Sequence, residues 1–184
     1  AVIEYILKKA EMKIINVSLN PINGGSIRCY ATHKENFAYK SETFSKNIEL
    51  LHQEEFDLEL DTDRPYKNFQ DRVNVHKAEL TSLLKKLKKE GKRIHIYGAS
   101  TKGNTILQWC GIDNRIIDVA AERNPEKFGA HTLGTDIPIV SEAESRSMNP
   151  DYYLVLPWHF KEEFVEREKE TLKRGVGLIF PLPT

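Results

Sequence analysis

From residue 93 onward, short apolar runs alternate with helical segments, and this alternation narrows the fold more than any other feature. "RIHIYG" (93–98), "RIIDVAA" (115–121), "DIPIV" (136–140), "DYYLVLP" (151–157) and "VGLIFPLP" (176–183) read as strands. "KGNTILQWC" (102–110), "SEAESRS" (141–147) and "FKEEFVEREKETLKR" (160–174) read as the helices between them, the last resting on Phe160, Phe164, Val165 and Leu172. Strands this apolar are buried on both faces, which implies a mostly parallel sheet with helices on either side. Before it, Phe69, Val73, His76, Leu80, Leu83, Leu84 and Leu87 recur at helical spacing, with Gly91 as the stop. His76 reads as a core or boundary residue of that helix. Ser141 has the position and chemistry of a helix cap.

The first third is different. Val2, Ile3, Ile6, Leu7 and Ala10 share one side of a helix. "KIINVSLN" (13–20) and "IRCYATH" (27–33) read as two strands joined by the glycine-paired turn "PINGGS". A lone hairpin is marginal in water, so this one reads as the end of another domain. The expected layout is a helix–hairpin remnant of another domain at 1–35, a polar linker with a short helix at 47–56 within 36–65, and a Rossmann-like domain at 66–184.

Charge excludes some partners. Lysine plus arginine equals aspartate plus glutamate, 27 each, so no global field draws nucleic acid or acidic lipid. The basic run "KKLKKEGKR" (85–93) sits at a helix end, where it complements the helix dipole. The two cysteines, Cys29 and Cys110, lack metal-ligand spacing, and a reducing, cytoplasmic setting is expected. No apolar run approaches the roughly 20 residues that span a bilayer. His33, His52, His95 and His131 are scattered and read as non-functional.

Ligands of such sheets bind beyond the carboxyl ends of the strands. Three strand ends carry chemistry. In "GASTKGNT" (98–105), Gly98 turns the chain, Ala99 and Ser100 follow it, Gly103 permits close approach of backbone N–H groups, Asn104 offers an amide and Lys102 adds a full charge; together they suit a phosphate or carboxylate. The loop matches neither dinucleotide nor P-loop spacing, which disfavours a small NAD oxidoreductase. In "AERNPEKFG" (121–129), Glu122 lies near the distance at which Rossmann folds place an acid on a ribose, with Arg123 and Lys127 for a further anion and Asn124 opening a turn. In "LPWHF" (156–160), Trp158 offers a stacking surface and His159 a titratable ring. No acid–base pair or activated nucleophile can be traced.

"NPINGGSIR" (20–28), "YGASTKGNT" (97–105), "AERNPEKFG" (121–129), "IPI" (137–139) and "LPWHF" (156–160), in this order, resemble the C-terminal region of S-adenosylmethionine-dependent sugar C-methyltransferases, which act on nucleotide-linked keto-deoxysugars. The resemblance implies that the chain follows a zinc-binding module and a methyl-donor domain of the same protein. It also implies that loops 98–105, 121–129 and 156–160 help hold the nucleotide-linked sugar. The family's catalytic-base motif, zinc-binding cysteines and methyl-donor loop have no counterpart here. No catalytic residue and no metal ligand is therefore carried over, S-adenosylmethionine is expected in the full-length enzyme rather than on this chain alone, and the chain by itself is expected to be inactive. The alternative is a stand-alone Rossmann-like module that binds a nucleotide or coenzyme A in a regulatory or scaffold role.

Overall fold

The computed structural model describes residues 1–39 and 42–182, and the chain divides into two compact units, Ala1–Asp71 and Arg72–Thr184. Residues 40–41, inside the expected linker, and residue 183, in the last expected strand, lie outside the described residues.

The first unit holds helix α1 (Val2–Lys9), strands β1 (Met12–Asn20) and β2 (Ser26–His33), and helix α2 (Glu42–Asp57). β1 and β2 pair antiparallel from Met12↔His33 to Asn20↔Ser26, with a bulge between Ile14 and Asn16. The connection needs Gly24 and Gly25, both at positive φ (85° and 127°). α2 is longer than the short helix expected at 47–56. It packs against β1, where Asn47 donates to Asn16 Oδ1 at 2.9 Å beside the buried Val17.

Helix α3 (Arg64–Lys89) leads to the second unit and stops at Gly91, whose φ of 76° ends the helix. β3 (Ile94–Tyr97), α4 (Thr101–Cys110), β4 (Ala120–Glu122), β5 (Ile139–Ser141), α5 (Glu142–Ser147), β6 (Tyr152–Val155), α6 (Lys161–Arg167), α7 (Lys169–Lys173) and β7 (Gly177–Ile179) follow. The five strands form one parallel sheet in the order β5-β4-β3-β6-β7. The expected α/β class, a Rossmann-like sheet flanked by helices, is therefore the observed one. The chain starts in the middle, runs outward to β5, then returns across β3 to β6, so the order switches between β3 and β6.

Strand alternation sorts the core into two layers. Ile94, Ile96, Ala120 and Leu154 face one side, against Leu80, Leu84 and Leu87 of α3 and Leu107 and Cys110 of α4. Tyr97, Ala121, Tyr153 and Val155 face the other, against Phe164 of α6. His95 belongs to this second layer. It is fully buried, its Nδ1 lies 2.8 Å from Ser145 Oγ, and Ser145 Oγ lies 3.0 Å from Tyr153 OH. His76 is half-buried, as its position on the apolar side of α3 implied, and its Nε2 donates to the Pro181 carbonyl.

Two elements differ from the sequence reading. The strand expected at 115–121 is regular only over Ala120–Glu122, because residues 114–116 form a turn in which Arg115 pairs with Asp113. Asp118 accordingly lies before the strand, where it pairs with Lys88. The helix expected at 160–174 is two helices that meet at Glu168. That residue is only 3% exposed, and its carboxylate turns inward to polar partners. An apolar stripe built on Val165 and Leu172 does not anticipate a buried acid there.

Burial pushes the pKa of His95 down to about 4. An unfolded histidine titrates near 6.5, so between that pH and about 4 the unfolded chain binds a proton that the native one refuses. Native stability is full above this window and falls within it. Urea unfolding is expected to show a loss on the order of 3 kcal/mol between about pH 7 and about pH 4 from this group. The non-titrating variant His95→Asn is expected to lack that component. An unchanged pH profile in the variant would remove His95 as its source.

Candidate functional site

The carboxyl ends of β3, β4 and β6 converge because three loops are pinned to one another. Gly98 leaves β3 at φ 83°, and its N–H donates to the Ala121 carbonyl at 2.8 Å. A Cβ at Gly98 would stand 2.7 Å from Pro157, and one at Gly103 would stand 2.5 Å from Leu156. The loop after β3 and the loop after β6 thus touch through their glycines at the switch in strand order. Ser100 caps α4, accepting from Gly103 N at 3.0 Å.

Glu122, at the end of β4, completes the arrangement. Its Oε2 accepts from Ala99 N at 3.1 Å and from Lys127 Nζ at 3.2 Å, and its Oε1 accepts from Arg123 N at 2.8 Å and Asn124 N at 3.1 Å. Lys127 Nζ also donates to the Ala99 carbonyl at 3.0 Å. Burial by itself would raise the Glu122 pKa; the N–H groups of Asn124 and Arg123 and the Lys127 ammonium outweigh it and hold the carboxyl below the ordinary glutamate range. A carboxylate has about four acceptor positions, and the chain itself takes all four. Asn124 is likewise engaged, its Oδ1 accepting from Glu126 N.

Beside these loops lies a cleft of about 340 Å³. Of the residues expected at the site, Gly98, Ser100, Glu122, Arg123 and Lys127 line it. Ala99, Lys102, Gly103, Asn104, Asn124, Trp158 and His159 belong to the same three loops but do not line this cleft. Trp158 and His159 form a short 3-10 turn with their rings edge to face, centroids 5.8 Å apart. Two polar atoms in these loops, Asn104 Oδ1 and His159 Nδ1, are buried with no hydrogen-bond partner among the described residues.

The other wall of the cleft was not foreseen. Phe160, Glu163, Phe164 and Arg167 line it, spaced i, i+3, i+4 and i+7. That spacing marks one helix face, on which Glu163 and Arg167 stand beside the apolar Phe160 and Phe164. Below it Tyr97 OH donates to Glu168 Oε1 at 2.6 Å, Arg146 Nη2 donates to both groups, and Thr171 donates to Glu168 Oε2 at 2.7 Å. Burial and the bond to Glu168 push the Tyr97 pKa up. Burial opposes ionisation of Glu168, but Tyr97, Thr171 and Arg146 outweigh it and keep the carboxyl low. Arg167 spans Glu142 and Glu168, which fixes its head at the cleft wall.

Glu122, the acid after β4, has no acceptor position left over for a ribose hydroxyl. Among the described residues no group of three or more His, Cys, Asp or Glu is arranged to hold a metal ion. No described helix is long and apolar enough to cross a membrane.

Comparison with known proteins fits this architecture. A family model for the C-methyltransferase C-terminal domain matches residues 21–183. The chain belongs to that family. It is also 31% identical over 172 residues to the C-methyltransferase NovU of Streptomyces niveus, a match covering 94% of this chain and 40% of NovU. This C-methyltransferase C-terminal domain therefore spans less than half the length of that relative. The glycine loop, Glu122 and the Trp158 turn all fall inside the matched segment.

Exchange of Glu122 for glutamine replaces one acceptor oxygen with an amide donor facing N–H groups. Glu122→Gln is expected to destabilise the domain by about 1–3 kcal/mol at neutral pH. Because the folded pKa is depressed, the carboxylate's contribution is present above the unfolded value, roughly 4.3, and is lost as pH falls through the folded one. The gap between wild type and variant, read by urea unfolding, is expected to narrow in acid. A gap that widens there would contradict this account of the carboxylate.

Proposed function

We propose that this domain positions a nucleotide-linked keto-sugar for C-methylation, and that S-adenosylmethionine is held by other domains of the same protein. The observation that carries the reading is the pair of orphaned buried atoms, Asn104 Oδ1 and His159 Nδ1, on the two loops flanking the switch in strand order. A buried polar atom without a partner costs about 1–3 kcal/mol. Two of them stand on the edge where open α/β sheets take their ligands, where a rotation of either side chain presents it to a ligand.

In this reading Lys102 and Arg123 meet the phosphates, with Gly98, Ala99, Ser100 and Gly103 providing the close backbone surface. Trp158 offers a face for the base or sugar, while Asn104 and His159 hydrogen-bond to polar edges of the ligand. Glu122 and Asn124 act indirectly, by holding the loops in register. The amides of Ala99, Ser100, Gly103 and Asn104 already have internal partners, so the side chains of Lys102 and Arg123 carry most of the contact with the anion. The domain's contribution to catalysis is proximity and orientation. No step of methyl transfer is assigned to its residues, and the isolated chain is proposed to be inactive. The two cysteines without a disulfide suit a cytoplasmic setting.

Calorimetric titration of the longer protein with a nucleoside-diphosphate sugar tests the site. Lys102→Ala and His159→Phe are each expected to weaken binding by about 1.5–3 kcal/mol and about 1 kcal/mol respectively, the ordinary values for charge-assisted and neutral hydrogen bonds. Wild-type affinity in both variants would overturn the reading.

A further inference from the structure

The sheet has a second polar hollow, at the end opposite the cleft. Arg146, at the end of α5, and Arg174, just after α7, line a cavity of about 140 Å³ with Asn149, Tyr153 and Thr171. Asn149 leads into β6, so the cavity faces the amino ends of the strands. No carboxylate lines it among the described residues. A water molecule's share of liquid volume is roughly 30 Å³, so a phosphate-sized ion fits.

Charge around this hollow is unbalanced. Glu142 pairs with Arg146 and Arg167, and Glu168 pairs with the same two arginines. Arg174 donates to Thr171 Oγ1 at 3.3 Å and has no carboxylate partner among the described residues. Three guanidinium groups therefore share two carboxylates, leaving one positive charge uncompensated. Arg146 spends only one nitrogen on its three bonds: Nη2 reaches Tyr97, Glu142 and Glu168. Its Nε and Nη1 make no hydrogen bond among the described residues. Two arginines lining one small polar cavity, one of them with single Nε–H and Nη1–H donors left over, can meet separate oxygens of one oxyanion through charge-assisted hydrogen bonds.

We propose that this hollow binds a tetrahedral oxyanion, either free phosphate or the terminal group of a phosphomonoester, between Arg146 and Arg174. The bound anion neutralises the excess charge and secures the Arg146 side chain that supports Tyr97 and Glu168.

The probe is inorganic phosphate, titrated into the whole chain at constant ionic strength with methyl phosphate run in parallel. Calorimetry reports affinity, and NMR of the arginine Nε–H groups reports location. Saturable binding that shifts the Arg146 and Arg174 signals is expected. Arg174→Gln, with folding checked by circular dichroism, is expected to weaken it by roughly tenfold or more, as loss of a charge-assisted contact implies. Arg28→Ala, on the exposed side of β2 and outside both sites, is expected to leave it unchanged. The tighter of the two ligands distinguishes a free ion from a phosphomonoester. The proposal is overturned if neither ligand binds, if the two arginine signals do not move in the wild type, if Arg174→Gln binds as well as wild type, or if Arg28→Ala abolishes binding.

Discussion

The candidate site depends on one carboxylate. Glu122 ties the end of β3 to the end of β4 through Ala99 N, fixes the next turn through Arg123 N and Asn124 N, and pairs with Lys127. The loop after β3 has the composition of an anion cradle, and an anion does sit there: it is the protein's own. This changes the chemistry available to a ligand. Where a phosphate-binding loop offers free backbone amides at a helix start, this loop has used them at Ala99, Ser100, Gly103 and Asn104. A negatively charged guest is then met by side chains that reach over this backbone and by whichever amides at the start of α4 are not already engaged.

Close packing at the switch in strand order reinforces that rigidity. Gly98 and Gly103 are there because Pro157 and Leu156 occupy the space a side chain would need. On the far layer, Tyr97, Tyr153 and Phe164 pack ring against ring, and the Arg146–Glu168–Tyr97 bonds anchor their polar ends. Such networks stabilise only when each member is satisfied, and here Glu168 accepts from Tyr97, Arg146 and Thr171. The result is a firm floor beneath a cleft whose rim carries Arg123 and Arg167. The contrast with Asn104 Oδ1 and His159 Nδ1, buried but unpaired, is what gives those two atoms their weight.

The sheet was legible because continuous short apolar runs and helix spacing are local signals. Ser141 declares its cap in the sequence, whereas the cap at Ser100 and the sorting of Ile94, Ile96 and Leu154 into one layer come from the structure. The strand ends were legible for the same reason, since Gly98 and the Asn124–Pro125 turn punctuate them. The occupancy of those ends was not, because whether Glu122 faces a ligand or its own backbone depends on a neighbour 23 residues away in sequence. The break at Glu168 was hidden likewise. A glutamate in a basic–acidic helix looks solvated, and only the approach of Tyr97 and Arg146 from other elements makes it a buried partner. Membership of the C-methyltransferase C-terminal domain family was legible through the order of several weak motifs, none of which identifies a catalytic group.

The central claim is that the carboxyl edge of β3, β4 and β6 receives a nucleotide-linked sugar. Backbone amide NMR of the chain, titrated with a nucleoside-diphosphate sugar, tests it most directly. The account predicts shifts concentrated at residues 98–104, at Arg123 and at Trp158–His159, with the hairpin β1–β2 silent. Shifts centred on the hairpin, or on the opposite edge of the sheet around Asn149 and Val176 alone, would contradict it.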